Sequence, residues 1–598
     1  MSQKEELKED FFRAETLDSL ILSNNLNEEE EKICKHCKIN ELQLSVFREY
    51  IGDPLAFIFL FYNKLSGGNI ESYFSSKLKE IVLDVDGITT HISFIDMISE
   101  IDVGIKHVKN SLKLTSKDIC IIGIGGDGSF SNLVHLFLEK IPNSEERLVF
   151  AVLPFGTGND WAKNFGWSSY GNIKFMKDDF TPLIDLARGI FTSKIINFDI
   201  WAIEVELKDK EDSCFLKVNP LTQELQKIES YEKNNEITQN YSELTSLENI
   251  KKNDKLLKLK KRCLNYFSFG EESRVGITFD TYRKKNVLIN RALYGLAGSV
   301  FSVNLKNKQQ NIPLSHSTKG VYLIDNVNNT QKNDFICALC PNGVKHTMGD
   351  LDRKENLGIC PTLSNSVSLV FLNIETFGGG VHLWRNSKNV GHSISSDDTK
   401  ANINLGEMVG TISSLLTNQI TLQSEQVDTK TTDTGVNSSN DAFTKDEKPK
   451  DLEIFSSETT NEEPSFESVI KEKIMNIVPS SCDRKMEIMS FSGLLDISSI
   501  FLPYMNAARK VGQFSPFETD REKKVDEKKS SLSEEKNLVI IFKKSQENTP
   551  DDNNLIEMYF QIDGEYYLAK EPKHCILRYD RTIRVLNCIV PYSPFVLK

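Results

Sequence analysis

The sequence lacks a long apolar run. Its most apolar stretch, Pro54–Tyr62, is less than half as long as the roughly 20 residues that a membrane-crossing helix needs. The first residues, Met1–Asn25, mix charged side chains with short apolar runs and contain no uninterrupted apolar block of the kind a signal peptide has. The sequence therefore predicts a soluble, cytoplasmic protein without a transmembrane segment.

Positive charge is also scarce. The chain has 598 residues, of which 72 are Lys or Arg and 85 are Asp or Glu, and its formal net charge is −13. A general nucleic-acid-binding protein carries a basic face, so this balance argues against nucleic acid as a partner. A local basic site is still compatible with it.

The eleven cysteines form no disulfide framework. Two pairs have CxxC spacing, Cys34 with Cys37 and Cys337 with Cys340, but a structural zinc ion needs four ligands and neither pair has a second pair near it. Scattered cysteines of this kind are typical of reduced thiols in the cytosol. Ordinary thiols are therefore the favoured interpretation and metal binding is the alternative.

Short apolar runs alternate with amphipathic stretches in the first third of the chain, as in AFIFLFY, ICIIGIG and LVFAVLP. Strands separated by helices predict a parallel α/β domain. From Asn265 onward the pattern becomes β-like, in NYFSFG, RVGITFD, GVYLI, DFICALC and SVSLVFLNI. The predicted segments are a helical extension at 1–50, the α/β domain at 51–200, a polar and partly helical insertion at 207–262, a β-rich region in two parts at 263–385 and 486–598, a disordered low-complexity insertion at 386–480, and a charged linker at 519–537.

A glycine-rich turn follows the apolar strand ICIIGIG. Gly125, Gly126 and Gly128 let the backbone approach a phosphate, and the helix that follows presents free N–H groups at its start. Asp127, among these donors, suits a metal ion or the edge of a nucleotide. The alternative is a tight strand–helix turn in which Asp127 is only a structural cap.

Two further turns follow apolar strands, NKLSGG at 63–68 and PFGTGND at 154–160. In the second, Gly156 and Gly158 permit a sharp turn, and Asn159 and Asp160 either cap a helix or bind a ligand. Turns that end strands of one parallel sheet converge at its carboxyl edge, where open α/β folds bind ligands. The sequence therefore predicts a nucleotide site, although no GxxxxGK[ST] loop occurs.

These motifs resemble the catalytic domain of eukaryotic diacylglycerol kinases. The GGDG sequence at 125–128 is shared with NAD kinases, phosphofructokinases and sphingosine kinases, whereas PxGTGND at 154–160 narrows the choice to lipid kinases. Later blocks are similar to the family in the same order, among them FDIW at 198–201, NYFSFG at 265–270, NRALYG at 290–295, LNIETFGGG at 372–380, AARKVGQ at 507–513 and QIDGE at 561–565.

The resemblance implies the fold class α/β, with a Rossmann-like nucleotide-binding domain, a second, mainly β-sandwich accessory domain and long disordered insertions. It implies transfer of the γ-phosphoryl group of ATP to diacylglycerol at a membrane surface, with Mg²⁺ as cofactor, phosphatidic acid as product and a role in lipid signalling. The enzyme would work transiently at the cytosolic face of a membrane.

The resemblance also implies roles for single residues. Asp127 would orient ATP and bind its metal ion, Asp563 would be the general base, and Glu565 would orient that base or share its proton. An Asp-Gly pair between apolar strands is also the strongest short signal for a type I′ hairpin turn, which is the alternative for Asp563. The residues expected to bind the nucleotide are Asn63, Ser66, Gly67, Gly68, Gly125, Gly126, Gly128, Ser129, Gly156, Thr157, Gly158, Asn159 and Asp160.

The chain departs from the family pattern in places. Lys64 and Leu65 stand where the family has Pro and Lys or Gln, Ser129 replaces a Thr, Phe155 an aliphatic residue and Glu375 a Pro. The tandem Cys/His zinc domains of animal members are absent from this sequence, so what recruits the chain to a membrane is open.

An apolar stripe in the segment 493–511 includes Ile497, Phe501 and Tyr504 and is followed by Arg509 and Lys510. Such a stripe suits a membrane surface, although a buried core is its more common use. Three alternatives to the diacylglycerol assignment stay open: a sphingosine or ceramide kinase, a catalytically silent lipid-binding scaffold, and an NAD kinase.

Overall fold

The computed structural model describes residues 56–64, 79–142, 146–156, 159–171, 180–219, 222–228, 251–252, 255–282, 312–324, 335–339, 345–346, 360–378, 381–383, 480–499, 508–516, 536–543 and 555–588. Several predictions lie outside these residues. They concern the extension at 1–50, nearly all of the segments 386–480 and 519–537, the cysteines Cys34, Cys37 and Cys340, and the site residues Ser66, Gly67, Gly68, Thr157 and Gly158.

The first part of the chain alternates strands with helices. In chain order it forms β1 (Ala56–Tyr62), β2 (Glu80–Val85), β3 (Ile88–Asp96), α1 (Ile101–Leu114), β4 (Ile119–Gly125), α2 (Asp127–Lys140), β5 (Leu148–Pro154), α3 (Asp160–Asn164) and α4 (Thr181–Thr192). Strand β1 is parallel to β3 and β4, and β4 is parallel to β5, whereas β2 is antiparallel to β3. The predicted parallel α/β arrangement is confirmed.

The strands of this α/β part are apolar because they are buried. Every residue of β4 and β5 is buried, as is usual for central strands of a parallel sheet. Helix α1 packs Ile101, Ile105 and Val108 into the same core, with the spacing of one helix face. This packing fixes the carboxyl ends of β1, β4 and β5 relative to one another.

The rest of the described chain is mainly β. In chain order it forms β6 (Lys194–Leu207), β7 (Cys214–Val218), β8 (Leu225–Lys227), β9 (Lys251–Lys252), β10 (Lys255–Leu256), β11 (Lys258–Cys263), β12 (Tyr266–Gly270), α5 (Glu271–Tyr282), β13 (Thr318–Ile324), β14 (Phe335–Cys337), β15 (Lys345–His346), α6 (Pro361–Ser364), β16 (Ser368–Leu372), β17 (Thr376–Phe377), β18 (Val381–His382), β19 (Met486–Phe491), α7 (Leu494–Ser499), β20 (Arg509–Phe514), β21 (Asn537–Phe542), β22 (Glu557–Ile562), β23 (Glu565–Lys570) and β24 (Pro572–Asn587).

Two sheets enclose the core of this second part. One has the strand order β20-β19-β16-β12-β22-β23-β7-β8, and the other includes β13, β21, β24 and β6. Phe267 and Phe560 of the first sheet share one apolar core with Val321 and Leu538 of the second. The predicted mainly β-sandwich domain is confirmed.

Strand β24 connects the sheets of the two parts. Strand β24 is antiparallel to β21 and β6, and near its end Arg584 and Val585 pair in parallel with Val149 and Phe150 of β5. The α/β sheet therefore continues into the sandwich as one twelve-stranded sheet. The sequence analysis did not predict this shared sheet.

One local prediction is wrong. The β-like segment RVGITFD lies in helix α5, where Val275 and Ile277 are buried against the outer face of the eight-stranded sheet. In the segment 207–262 the described residues after β6 form strands that join both sheets through β7 and β11, and residues 229–250, where the predicted helix could lie, are outside the described part of the chain. The domain boundaries themselves stay predictions.

The stripe proposed for a membrane surface is divided in the fold. Ile497 is buried in the apolar cluster on the outer face of the eight-stranded sheet, which favours the core interpretation, and Arg509 and Lys510 lie in strand β20. Phe501 and Tyr504 lie outside the described residues. No helix in the described part of the chain is long and apolar enough to cross a membrane.

Candidate active site

The turns after β1, β4 and β5 contact one another at the carboxyl edge of the parallel strands. The backbone N–H of Asn63 donates to the carbonyl of Ile124 (3.2 Å), and that of Phe155 donates to the carbonyl of Gly125 (3.0 Å). The side-chain amide of Asn63 donates to the hydroxyl of Ser129 (3.0 Å). The fold thus brings the described parts of the three predicted turns together.

Glycine is required where two of these turns cross. A Cβ atom added to Gly156 would lie 2.2 Å from Cα of Gly126, closer than any real contact. The turns reach this distance only because residue 156 has no side chain. A Cβ atom on Gly128 would meet nothing within 4 Å, so the first turn of α2 faces open space there.

Asp127, the first residue of α2, binds the start of α3. Its Oδ2 accepts a hydrogen bond from the N–H of Asp160 (2.7 Å) and its Oδ1 accepts one from the N–H of Trp161 (3.0 Å). The capping contacts of the alternative interpretation are therefore present. An ionised carboxylate has about four acceptor positions, so these two bonds leave Asp127 able to face a cation as well.

Asn159 shapes the same turn. Its φ is +56°, and its side chain accepts a hydrogen bond from the N–H of Gly156 (3.0 Å) and donates one to the carbonyl of Gly156 (2.7 Å). An asparagine tolerates this left-handed conformation because its short polar side chain bonds locally. Asn159 therefore holds the turn, and no contact seen here gives it a chemical role.

Negative charge is concentrated around Asp127. Burial, the carboxylate of Asp160 and, to a smaller extent, that of Asp563 raise the pKa of Asp127 to about 7, although its two N–H bonds oppose this. Asp160 is fully buried, and its Oδ2 accepts a hydrogen bond from the hydroxyl of Tyr266 (3.3 Å). Like charges at such a site favour the binding of a cation or a proton.

Asp563 and Gly564 form the two-residue turn between β22 and β23. Their φ angles are +51° and +80°, and Ile562 pairs with Glu565 on either side, as in a type I′ hairpin. The turn proposed as the alternative is therefore present. Asp563 nevertheless is buried, with 8% of its surface exposed, which is unusual for a hairpin tip.

Backbone N–H groups surround the Asp563 carboxylate. Its Oδ1 accepts hydrogen bonds from Asn265 (2.7 Å) and Tyr266 (3.2 Å), and its Oδ2 accepts one from Leu264 (2.8 Å). Leu264 and Asn265 connect β11 to β12, and Tyr266 is the first residue of β12. Burial raises the pKa of Asp563 above its ordinary value, and the N–H groups only partly offset this effect.

Two side chains complete the surroundings of Asp563. The Cys263 thiol contacts Oδ1 (3.4 Å), and the Ser131 hydroxyl donates to Oδ2 (3.1 Å). Cys263 belongs to the sandwich, whereas Ser131 lies one helical turn after Asp127 in α2. The Asp563 hairpin of the β part therefore contacts helix α2 of the α/β part, which begins at Asp127.

Glu565 is held by cations. Its Oε2 lies 2.5 Å from Nζ of Lys261 and 3.3 Å from Nζ of Lys217, and it accepts a hydrogen bond from the hydroxyl of Tyr567 (2.5 Å). Burial opposes its ionisation, but the two ammonium groups lower the pKa of Glu565 well below its ordinary value. Glu565 is therefore ionised. Within the described residues, the Glu565 carboxylate makes polar contacts with these three side chains and not with Asp563.

Sequence reasoning did not single out Ser131, Tyr266 or Lys261. Tyr266 lies in the NYFSFG block, but nothing in that block indicates a bond to Asp160. Residues 131 and 563 are 432 positions apart, and no spacing rule connects them. Only the folded sandwich brings these residues to the glycine turns.

The described residues of the site form no complete protein cage for a metal ion. No group of three or more His, Cys, Asp or Glu residues in the described chain is arranged to hold one. Mg²⁺ that binds together with nucleotide phosphates needs only one or two carboxylates from the protein. Asp127 fits that smaller requirement, because a cation would offset the repulsion from Asp160.

Two family models match the chain. The diacylglycerol kinase catalytic domain matches residues 58–179, and the diacylglycerol kinase accessory domain matches residues 263–432. The first range contains the three glycine turns, and the second begins at Cys263, beside the segment that binds Asp563. These matches define the class of protein, a kinase built from a catalytic and an accessory domain.

The chain carries the catalytic and the accessory domain of a diacylglycerol kinase and is a diacylglycerol kinase. Use of diacylglycerol and ATP as substrates follows from these domains. Asp563 and Glu565 lie outside both matched ranges.

Proposed function

We propose that this chain transfers the γ-phosphoryl group of ATP to the primary hydroxyl of 1,2-diacylglycerol and so produces phosphatidic acid. The observation that carries the proposal is the contact between the Asp563 carboxylate and helix α2, which begins at Asp127. Phosphoryl transfer needs a general base at the hydroxyl that accepts the phosphoryl group, and the nucleotide phosphates must lie next to it. The two buried carboxylates come from the two domains that such an enzyme would close around its substrates.

In this proposal the phosphates of ATP bind at the start of α2. The N–H groups and the dipole of a helix start favour an anion, and the space above Gly128 is open. The proposed nucleotide contacts are Asn63, Ser66, Gly67, Gly68, Gly125, Gly126, Gly128, Ser129, Gly156, Thr157, Gly158, Asn159 and Asp160.

Asp127 would hold Mg²⁺ in this arrangement. When bound with ATP, the metal ion supplies positive charge that neutralises the phosphate oxygens. The role of the protein is to keep the Asp127 carboxylate oriented, which it does through the N–H groups of Asp160 and Trp161. The neighbouring charge of Asp160 makes the site favourable for a cation.

Asp563 would be the general base. It takes the proton of the diacylglycerol hydroxyl while that oxygen bonds to the γ-phosphorus, and the bond from the γ-phosphorus to the β–γ bridging oxygen breaks to release ADP. A base is most effective when its pKa lies near the working pH, and burial moves the pKa of Asp563 in that direction. Glu565 would orient the hairpin and stay ionised, because Lys261 and Lys217 hold it.

The lipid substrate places the reaction at a membrane surface. Diacylglycerol resides in the bilayer, so we propose that the enzyme works transiently at the cytosolic face of a membrane. The eight cysteines in the described residues are free thiols, as expected in a reducing compartment. Removing diacylglycerol and producing phosphatidic acid would lower one lipid messenger and raise another.

A mixed-micelle assay with labelled ATP tests the proposal. It compares diacylglycerol, sphingosine and ceramide as acceptors, with and without Mg²⁺, for the wild type, Asp127→Ala and Asp563→Asn. We expect label in phosphatidic acid only. Asp563→Asn should lose at least about 100-fold in activity, the usual contribution of acid–base catalysis. Asp127→Ala should also lose most activity, because it removes the proposed metal ligand.

Other outcomes would change the assignment. Label in another lipid would keep the fold and replace the substrate. A folded wild-type protein that binds ATP but labels no lipid would favour a catalytically silent scaffold. Retention of Asp563→Asn activity would remove the base role and leave the kinase assignment in place.

A further inference from the structure

Two side chains, one from each domain, donate hydrogen bonds to the Asp563 carboxylate. Ser131 of α2 reaches Oδ2 (3.1 Å), and Cys263 at the end of β11 reaches Oδ1 (3.4 Å). The remaining donors are backbone N–H groups of residues 264–266, in the same domain as Asp563. Within the described chain, Ser131 is therefore the one hydrogen-bond donor that fixes Asp563 relative to the catalytic domain.

The position of Ser131 on α2 links it to the nucleotide turn. Ser131 follows Asp127 by four residues, so both lie on one face of the helix. Its side chain is buried, with 6% of the residue exposed, and its hydroxyl donates to Asp563 instead of to a carbonyl of its own helix. Movement of Asp563 relative to Ser131 is thus movement of the proposed base relative to the proposed phosphate site.

We propose that Ser131 is a positioning residue of this kinase, whose hydroxyl fixes the Asp563 carboxylate against the helix start that binds the ATP phosphates. The inference rests on the proposed function, because it takes Asp563 to accept the hydroxyl proton. Correct orientation of reacting groups is a large part of catalysis, and a misplacement of about 1 Å costs on the order of 100-fold in rate. A hydroxyl bound to a carboxylate is a strong, charge-assisted contact and suits this role.

The charges around Asp563 do not depend on Ser131. Asp127 at the start of α2 and Lys261 of β11 both act electrostatically with Asp563. The Cys263 thiol contacts it directly. Removing the neutral hydroxyl of Ser131 leaves all these groups in place, so a substitution at this position tests orientation and not charge.

The test measures kcat and KM for ATP and for diacylglycerol in the full chain. We expect Ser131→Ala to lower kcat roughly tenfold, because one hydrogen bond to a charged group contributes a free energy of about that size. Both KM values should change less than about twofold. Ser131→Thr keeps the hydroxyl and should restore most of kcat. Ser111→Ala is the matched control, since Ser111 is a buried helical serine of the same domain whose hydroxyl has no hydrogen-bond partner in the described chain.

Thermal unfolding of each variant separates loss of fold from loss of position. If Ser131→Ala does not fold, Ser131→Cys, which keeps the volume and weakens the donor, carries the same expectation. An unchanged kcat, or an effect confined to KM for ATP, overturns the proposal.

Asp563→Asn is assayed beside the serine variants. Activity in Asp563→Asn would show that the base assignment has failed, and the Ser131 proposal with it. An inactive Asp563→Asn together with a fully active Ser131→Ala would overturn the Ser131 proposal alone.

Discussion

The hydroxyl of Tyr266 lies 3.3 Å from Oδ2 of Asp160, so the accessory domain binds the same short helix whose start is capped by Asp127. Thr376 adds a second bond from that domain, because its hydroxyl donates to the carbonyl of Asp160 (3.0 Å). Asp160 therefore also connects the two domains. Its carboxylate still contributes to the charge that raises the pKa of Asp127.

Tyr266→Phe tests this junction. The substitution removes one buried hydrogen bond to a carboxylate, and we expect the free energy of unfolding to fall by about 1.5–3 kcal/mol, as measured by urea denaturation. Tyr559→Phe is the control, because its hydroxyl bonds to Glu557 (3.1 Å) at the surface. Equal losses in the two variants would show that the Tyr266–Asp160 contact adds nothing specific.

Gly156→Ala tests the crossing of the two glycine turns. The added methyl group would lie 2.2 Å from Cα of Gly126, so the backbone must move and we expect loss of both ATP binding and stability. Gly128→Ala meets no atom within 4 Å and lies in a helix, so its stability should be kept or rise by up to about 1 kcal/mol. The KM of Gly128→Ala for ATP should increase if a phosphate group of ATP occupies the open space beside Gly128.

Wild-type ATP binding by Gly156→Ala would contradict the close approach of the two turns.

Lys261→Met tests the anchor of the Asp563 hairpin. Lys261 is buried and lies 2.5 Å from Glu565, so removing it should cost about 3–5 kcal/mol in the free energy of unfolding. Lys217 is more exposed and lies 3.3 Å away, and Lys217→Met should cost about 1 kcal/mol. A larger loss for Lys217→Met would reverse this assignment.

The same ion pair predicts a pH dependence. The folded-state pKa of Glu565 lies below its ordinary value of 4.5, so its contribution to stability is present above that pH and is lost as the pH falls through the lowered pKa. Urea denaturation at pH 7 and at pH 3 should therefore show a smaller difference between wild type and Lys261→Met at the lower pH.

Glu487 predicts a pH dependence of the opposite sign. It is fully buried in β19, its Oε2 has no hydrogen-bond partner in the described chain, and burial raises its pKa to about 8. From its ordinary 4.5 up to about 8 the folded protein keeps a proton that the unfolded chain has released, so stability falls as the pH rises.

Glu487→Gln removes this penalty. At pH 8 the variant should exceed the wild type by on the order of 3 kcal/mol, since one pKa unit is worth about 1.4 kcal/mol. Thermal unfolding should show the gap closing towards pH 5. Glu139→Gln, at an exposed position of α2, should show no such trend. A difference independent of pH would mean that Glu487 is not protonated in the folded chain.

The catalytic domain was largely predictable because its signals are local. Apolar strands such as β4 and β5 end directly in glycine turns, and parallel topology then brings those turns to one edge. The position of Asn63 beside Ser129 follows from this rule. The hairpin at Asp563 was predictable from its Asp-Gly pair, again a local signal.

The accessory domain was less predictable because partners distant in sequence decide its structure. The residues of RVGITFD favour a strand locally, but burial of Val275 on one face makes the segment helical. Strand β11 looked like a polar insertion because its lysines are paired across the ladder, as Lys258 is with Glu204 (2.6 Å) and Glu206 (3.1 Å) of β6. When charged residues pair across two strands in this way, the sequence lacks the alternation of apolar and polar residues that indicates a strand.

The strand that joins the two domains has a consequence for how the chain is made. The edge of β5 in the catalytic domain is completed by residues 584–585 of β24, which are synthesised more than 400 positions later. Until then the ribosome-bound catalytic domain exposes an unpaired edge, the kind of surface on which strands of other chains assemble. We therefore expect the catalytic domain expressed without β24 to aggregate more readily than the full chain.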